Sequence, residues 1–221
     1  MSMNIGIEEH ALLYGLLVKN AVALLGEDNG RKIMLEATRH YGNSRGRRMR
    51  TNADKLGLGC STDAYLLTGE LPFQKGESVS QAAYETDRVC NTVTECKWCR
   101  TWKDYDLRDY GPLYCQVIDK AIAEGFDGSF TLSVDSILSA GDDACRFVFS
   151  EPADEAALKQ NRSHIGQSLL KSFIFHSQEL LQCTKEILDQ ECPAQTEQIL
   201  KNTENDFRKL KPEAADTIFS C

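Results

Sequence analysis

Tyr114–Phe149 reads YCQVIDKAIAEGFDGSFTLSVDSILSAGDDACRFVF. The apolar spacing predicts a helix from about Pro112 to Glu124, and Gly125 stands where a terminating glycine is favoured. Phe130, Leu132, Val134, Ser136 and Leu138 then alternate with Thr131, Ser133, Asp135 and Ile137, the period of a half-buried strand. Gly141-Asp142-Asp143 is a turn, and Cys145, Phe147 and Phe149 line one face of a returning strand. The alternating faces of the two strands need a cover, and the helix supplies it.

Upstream, residues 7 to 25 carry Leu12, Leu13, Leu16, Leu17, Val22 and Leu25 at helical spacing, and Gly26 to Gly30 is rich in turn residues. A second helix is expected from Arg31 to Tyr41, stopping at Gly42, with a basic, glycine-punctuated loop or short helix from Gly42 to Gly59. A short helix at Asp63 to Thr68 precedes residues 79 to 102, where Thr86, Val89, Thr92, Val93 and Thr94 favour a strand, in an extended run long enough to fold back on itself. Downstream, Asp154 to Glu191 is helical with a break near Asn161 to Gly166, Pro193 stops it, and a last helix covers Thr196 to Leu210. Beyond Pro212 a frayed or surface-laid tail is expected. The fold class is therefore α+β, helices at both ends packed on a small antiparallel sheet, in a single domain of 221 residues. Its parts are a mainly helical stretch to residue 78, a mixed core over 79–150 and C-terminal helices over 151–211.

A net charge of -8 and a pI near 5.1 argue against nucleic acid or an anionic membrane as the main partner. The apolar segment Ala11 to Leu25 is interrupted by Lys19 and Asn20, too short to cross a bilayer and without a basic flank, so a cytoplasmic location without an export signal is expected. Nine cysteines, at 60, 90, 96, 99, 115, 145, 183, 192 and 221, are then expected as reduced thiols. Oligomeric state stays open, a homo-oligomer included.

Cys115 and Asp119 are four residues apart on the predicted helix and so share a face. A thiol over a carboxylate on a core-facing surface needs partners or altered ionisation, which favours chemistry over packing for this pair. For Cys145, between Phe147 and the turn, core packing is favoured. Cys96 and Cys99 form one Cys-x-x-Cys pair, where strong zinc sites show two, and on a strand they would point to opposite faces. His10, His40, His164 and His176 show no ligand-like spacing; His176 reads as a hydrogen-bonded residue at the core edge, and His40 is more interesting beside Tyr41-Gly42. Arg45, Arg47, Arg48 and Arg50 are most simply a solvated charge run, although one could line a pocket mouth.

Tyr41-Gly42-Asn43-Ser44-Arg45-Gly46, Glu95-Cys96-Lys97-Trp98, and Tyr114-Cys115 followed by Ile118-Asp119 together resemble the L-2-amino-thiazoline-4-carboxylic acid hydrolase family over most of the chain to about residue 150. More distantly, Gly141 to Phe147 is similar to the last strand of 4-vinyl reductase-type ligand-binding domains, some of which hold zinc through cysteines and an acidic residue. Cys115 and Cys145 match two of those cysteines, and Ile137 stands where a third would be expected.

The first resemblance implies a hydrolase that opens a cyclic amidine, such as a 2-amino-thiazoline carboxylate, to a carbamoyl-cysteine-type product. Water must attack the amidine carbon, the ring nitrogen must be protonated as it leaves, and the substrate carboxylate must be held. Chemistry and placement then suggest Asp119 as general base or proton carrier and Cys115 as nucleophile or supporting thiol. Arg45 or Arg88 would clamp the carboxylate, with Glu95, Cys96 and Trp98 bordering the pocket. No cofactor and no metal ligand are assigned; a structural zinc held by cysteines belongs to the alternative reading, a small-molecule-binding or sensor module. A redox role for Cys96 and Cys99 is a third, weaker reading.

Overall fold

The computed structural model describes residues 5–165 and 168–220. Its elements are α1 (Ile7–Leu25), α2 (Glu27–Lys55), α3 (Thr62–Leu67), β1 (Ser78–Tyr84), β2 (Val89–Cys96), α4 (Lys97–Asp104), α5 (Pro112–Phe126), β3 (Leu132–Ser136), β4 (Cys145–Phe149), α6 (Glu155–Ile165), α7 (Phe173–Glu191), α8 (Pro193–Leu210) and α9 (Pro212–Ile218). Helices at both ends and a four-stranded antiparallel sheet of order β1-β2-β4-β3 make an α+β fold. The chain divides into two compact units, one of residues 1–41, 97–117 and 172–221, the other of residues 42–96 and 118–171.

The first unit is helical. Its centre is α1, whose residues from Ile7 to Val18 are almost all buried, which is why this helix shows little amphipathicity. It packs against α4, α7 and α8. The C-terminal segment is a packed helix instead of a frayed tail: Ala214, Ala215 and Ile218 of α9 are buried, and Lys211 just before it binds Glu8 across the unit at 2.5 Å. Pro193 opens α8 instead of merely ending α7, as suits a residue whose missing N–H costs nothing in a first turn.

The second unit holds the sheet. β1 and β2 form a hairpin within the run 79–102, whose residues from Lys97 onward open α4 instead of extending the strand, and β3 and β4 pair from Leu132↔Phe149 to Ser136↔Arg146. Ala123 of α5 packs with Val89, Leu132 and Phe149 on the inner face, joined by Tyr65, Phe130 and Phe147. This is the cover the strands require. Ser61 caps α3 by accepting the Ala64 N–H.

Two sequence expectations fail here for one reason. α2 runs unbroken through Gly42 and Gly46, and α5 runs through Gly125 to Phe126. A Cβ on Gly46 would lie 2.1 Å from the Ile122 carbonyl oxygen, and one on Gly125 would lie 2.4 Å from that of Asn43. The glycines are neither turn nor stop signals but the contact surface of two helices whose backbones nearly touch. Each glycine costs roughly 1 kcal/mol of helix propensity, and close packing offsets it. Likewise Gly30 lies inside α2, against the Val22 backbone, and only Gly26 breaks the chain between α1 and α2.

Candidate functional site

Within the second unit, the α2–α5 crossing brings a charged pair indoors. Gly42, Arg45, Gly46, Met49 and Ala53 are the buried stripe of α2, spaced at three and four residues, so Arg45 faces the same way as the contact glycines. Arg45 is 4% exposed. On α5, Asp119 lies close enough for the Arg45 charge to act on its carboxyl. Although Asp119 retains some exposed surface, its carboxyl is enclosed by protein. Burial pushes its pKa up to about 6, against the pull of Arg45 and of its own backbone N–H. Tyr65 on α3 completes the group: burial first, then the Asp119 charge, drives its phenol well above the usual range. Its ring stacks on Phe130 at 4.9 Å and meets Phe126 edge-on at 5.4 Å.

A carboxyl that titrates near neutrality inside a largely apolar wall can take and return a proton at working pH, which an ordinary surface aspartate cannot do efficiently. The neighbouring guanidinium is a planar fork whose geometry matches a carboxylate. Nearby, Arg48 grips the fully buried Glu70 as a fork, with Nε donating to Oε1 at 2.7 Å and Nη2 to Oε2 at 2.8 Å. Arg47, Arg48, Lys55 and Lys171 line an open depression together with Ser44, Thr51 and Asn52. The basic run is thus divided around α2: Arg45 is buried against α5, Arg47 and Arg48 line the depression, and Arg50 pairs with Asp54 and Asp127.

The first unit contains a second polar group, which sequence reasoning missed. His10 of α1 is fully buried, its Nδ1 3.4 Å from Ser177 Oγ and its Nε2 3.4 Å from Tyr114 Oη. His176 is also fully buried and pairs through Nδ1 with Tyr41 Oη at 3.2 Å. Trp98 and Phe173 close around His10, with ring centroids 6.3 and 5.9 Å away. His176 is therefore hydrogen-bonded as expected, but deep in the unit instead of at its edge. Nothing in the spacing of residues 10, 41, 114 and 176 betrays the cluster. Its one legible sign is that Tyr41 and Tyr114 open two of the motifs that carry the family resemblance.

The other candidates are scattered. Cys115 lies one turn before Asp119 on α5, half-buried, with the phenol of Tyr14 as an electrostatic neighbour in the first unit. Trp98, 8% exposed, belongs to the wall around His10. Arg88 sits in the β1–β2 turn, half exposed, with Nε on Glu85 Oε2 at 2.6 Å. Glu95 is exposed on β2 opposite Val79. Cys96 ends β2, and Cys99 lies in the first turn of α4, so a strand-to-helix change separates the Cys-x-x-Cys thiols.

Cys145 is buried on β4, where its Sγ accepts the Leu138 N–H at 3.3 Å, a packing and turn-bracing role. The described cysteines, from Cys60 to Cys192, are free thiols, and Cys221 lies outside the described residues. Among the described residues, neither the Cys96–Cys99 pair nor Cys115 or Cys145 belongs to a group of three donors placed to share a metal ion. No helix of the described residues is long and apolar enough to cross a membrane.

The second unit thus sets a carboxyl with a raised pKa near a buried arginine on an α+β scaffold. The chain belongs to the L-2-amino-thiazoline-4-carboxylic acid hydrolase family, whose profile matches residues 6–149, more than half its length. No curated protein and no solved structure matches it.

Proposed function

We propose that the protein hydrolyses a small cyclic amidine carrying a carboxylate, of the 2-amino-thiazoline-4-carboxylate kind, to a carbamoyl-cysteine-type product. Family membership supports the reaction class. The observation that carries the reading is the Asp119 carboxyl, raised to about 6 by burial beside Arg45.

In its ionised form Asp119 takes a proton from water as the oxygen adds to the amidine carbon. The tetrahedral intermediate then collapses to a carbonyl by breaking one ring bond at that carbon: Asp119 returns its proton to the departing ring atom, and the proton of the added hydroxyl passes to the ring nitrogen, which has lost its double bond. Departure of nitrogen leaves an amine and an S-carbamoyl group; departure of sulphur leaves a thiol and an N-carbamoyl group. Arg45 holds the substrate carboxylate and keeps part of the Asp119 population ionised. General acid–base catalysis of this kind is worth about 100- to 10,000-fold. Cys115, one turn away on the same helix, is the candidate nucleophile for a covalent variant of the addition. A reducing, cytoplasmic setting suits a chain whose described cysteines are all thiols.

The test is incubation of the purified protein with 2-amino-thiazoline-4-carboxylate. A thiol reagent and an amine reagent then read which ring bond opened. Saturable binding without ring opening would overturn the hydrolase reading in favour of a ligand-binding module.

A further inference from the structure

Cys183 and Glu186 are three residues apart on α7 and share a face, and α2 brings His40 against them in the first unit. His40 Nε2 lies 2.8 Å from Glu186 Oε2. One donor atom from each of His40, Cys183 and Glu186 lies within 4.8 Å of the others. The three grade outward: Cys183 buried, His40 half-buried, Glu186 exposed. Gln182 Nε2 donates to Glu186 Oε1 at 2.8 Å, which orients the carboxylate so that Oε2 faces the imidazole. Neither the Asp119 group nor the His10 network uses any of these residues.

We propose that His40, Cys183 and Glu186 form a binding site for a divalent transition-metal cation of the zinc type. An imidazole, a thiolate and a carboxylate together are the mixed nitrogen, sulphur and oxygen set that borderline cations favour, and a thiolate is a poor ligand for magnesium or calcium. Tetrahedral bonds of about 2.0–2.3 Å place donor atoms roughly 3.3–3.7 Å apart, so the present arrangement needs side-chain movements of about 1 Å. The ion takes the place of the proton between His40 Nε2 and Glu186, the imidazole carrying its proton on Nδ1 instead, and the Cys183 thiol proton is released to solvent. On the exposed side a water fills the fourth position. Gln182 then serves as the outer partner that fixes the ligating carboxylate. Binding ties α2 to α7 and stabilises the folded chain in proportion to ion concentration.

The full chain, stripped with chelator, is titrated with Co2+ and then Zn2+. One equivalent of Co2+ should give tetrahedral absorption bands with a thiolate-to-metal charge-transfer band, which Zn2+ abolishes by displacement. Cys183→Ser should remove the charge-transfer band. His40→Gln and Glu186→Gln should each weaken Zn2+ binding by more than the roughly 10- to 100-fold that loss of an outer partner costs, and should erase the Zn2+-dependent rise in Tm. Both exposed-side variants spare the core, so they decide the matter even if Cys183→Ser misfolds. No stoichiometric uptake of Co2+ would overturn the proposal. So would a charge-transfer band that survives in Cys183→Ser, since the thiolate would then be elsewhere, or a Zn2+ affinity unchanged in both His40→Gln and Glu186→Gln.

Discussion

Gly46 on α2 approaches α5 so closely that a Cβ would stand 2.1 Å from the carbonyl oxygen of Ile122. Arg45 precedes this glycine and Asp119 lies one turn before this isoleucine, so the same close approach that packs the helices sets guanidinium and carboxyl together in the second unit.

That contact predicts a large cost for one methyl group. Gly46→Ala forces two helix backbones apart and should lose about 2–4 kcal/mol in urea unfolding. Arg47→Ala, on the exposed side of the same turn, should change stability by no more than about 0.5 kcal/mol. Equal midpoints for Gly46→Ala and wild type would refute the tight crossing.

The raised carboxyl makes stability depend on pH in a definite direction. Asp119 has a folded pKa of about 6 against an ordinary value of 3.8, so the folded chain holds the proton more tightly than the unfolded one. Its contribution is full below pH 4 and is lost as pH rises through 6. Relative to Asp119→Asn, wild type should therefore lose up to about 3 kcal/mol of unfolding free energy between pH 4 and pH 7.5. A flat difference across that window would show that Asp119 titrates normally. In kinetics, Asp119→Asn should retain the fold by circular dichroism and lose at least about 100-fold in kcat on the cyclic amidine.

Arg45→Met removes the cation that opposes burial at Asp119. Its carboxyl then becomes harder to ionise, and the acid limb of the kcat/KM profile should move to higher pH. KM should rise as well, because the same guanidinium holds the substrate carboxylate. An unmoved acid limb would assign that limb to another group. Arg88→Met is the control: Arg88 pairs with Glu85 in a surface turn and should leave the limb in place.

Cys115→Ser and Cys115→Ala separate a nucleophile from a packing thiol. If the addition is covalent through Cys115, both should fall at least about 100-fold, and stoichiometric alkylation should block turnover. Near wild-type rates in both would leave Asp119 acting on water alone.

The sequence alone was enough for the α+β class, the β3–β4 pair and the helix that covers them, because period-two and period-3.6 apolar patterns are local signals; it marked 79–102 as extended, although the chain turns helical at Lys97. It also singled out Asp119, through its helical spacing from Cys115, and left Arg45 and Arg88 as alternative clamps for a carboxylate. It misread Gly42, Gly46 and Gly125 as loop and stop signals, since a glycine that admits a neighbouring helix looks the same in sequence as one that ends its own. Only the tertiary structure could tell them apart. It alone decided that Arg45 rather than Arg88 stands beside Asp119, and that His10 meets Ser177 across 167 positions of sequence. Burial and long-range partners set those environments, and neither is written in any local window of the chain.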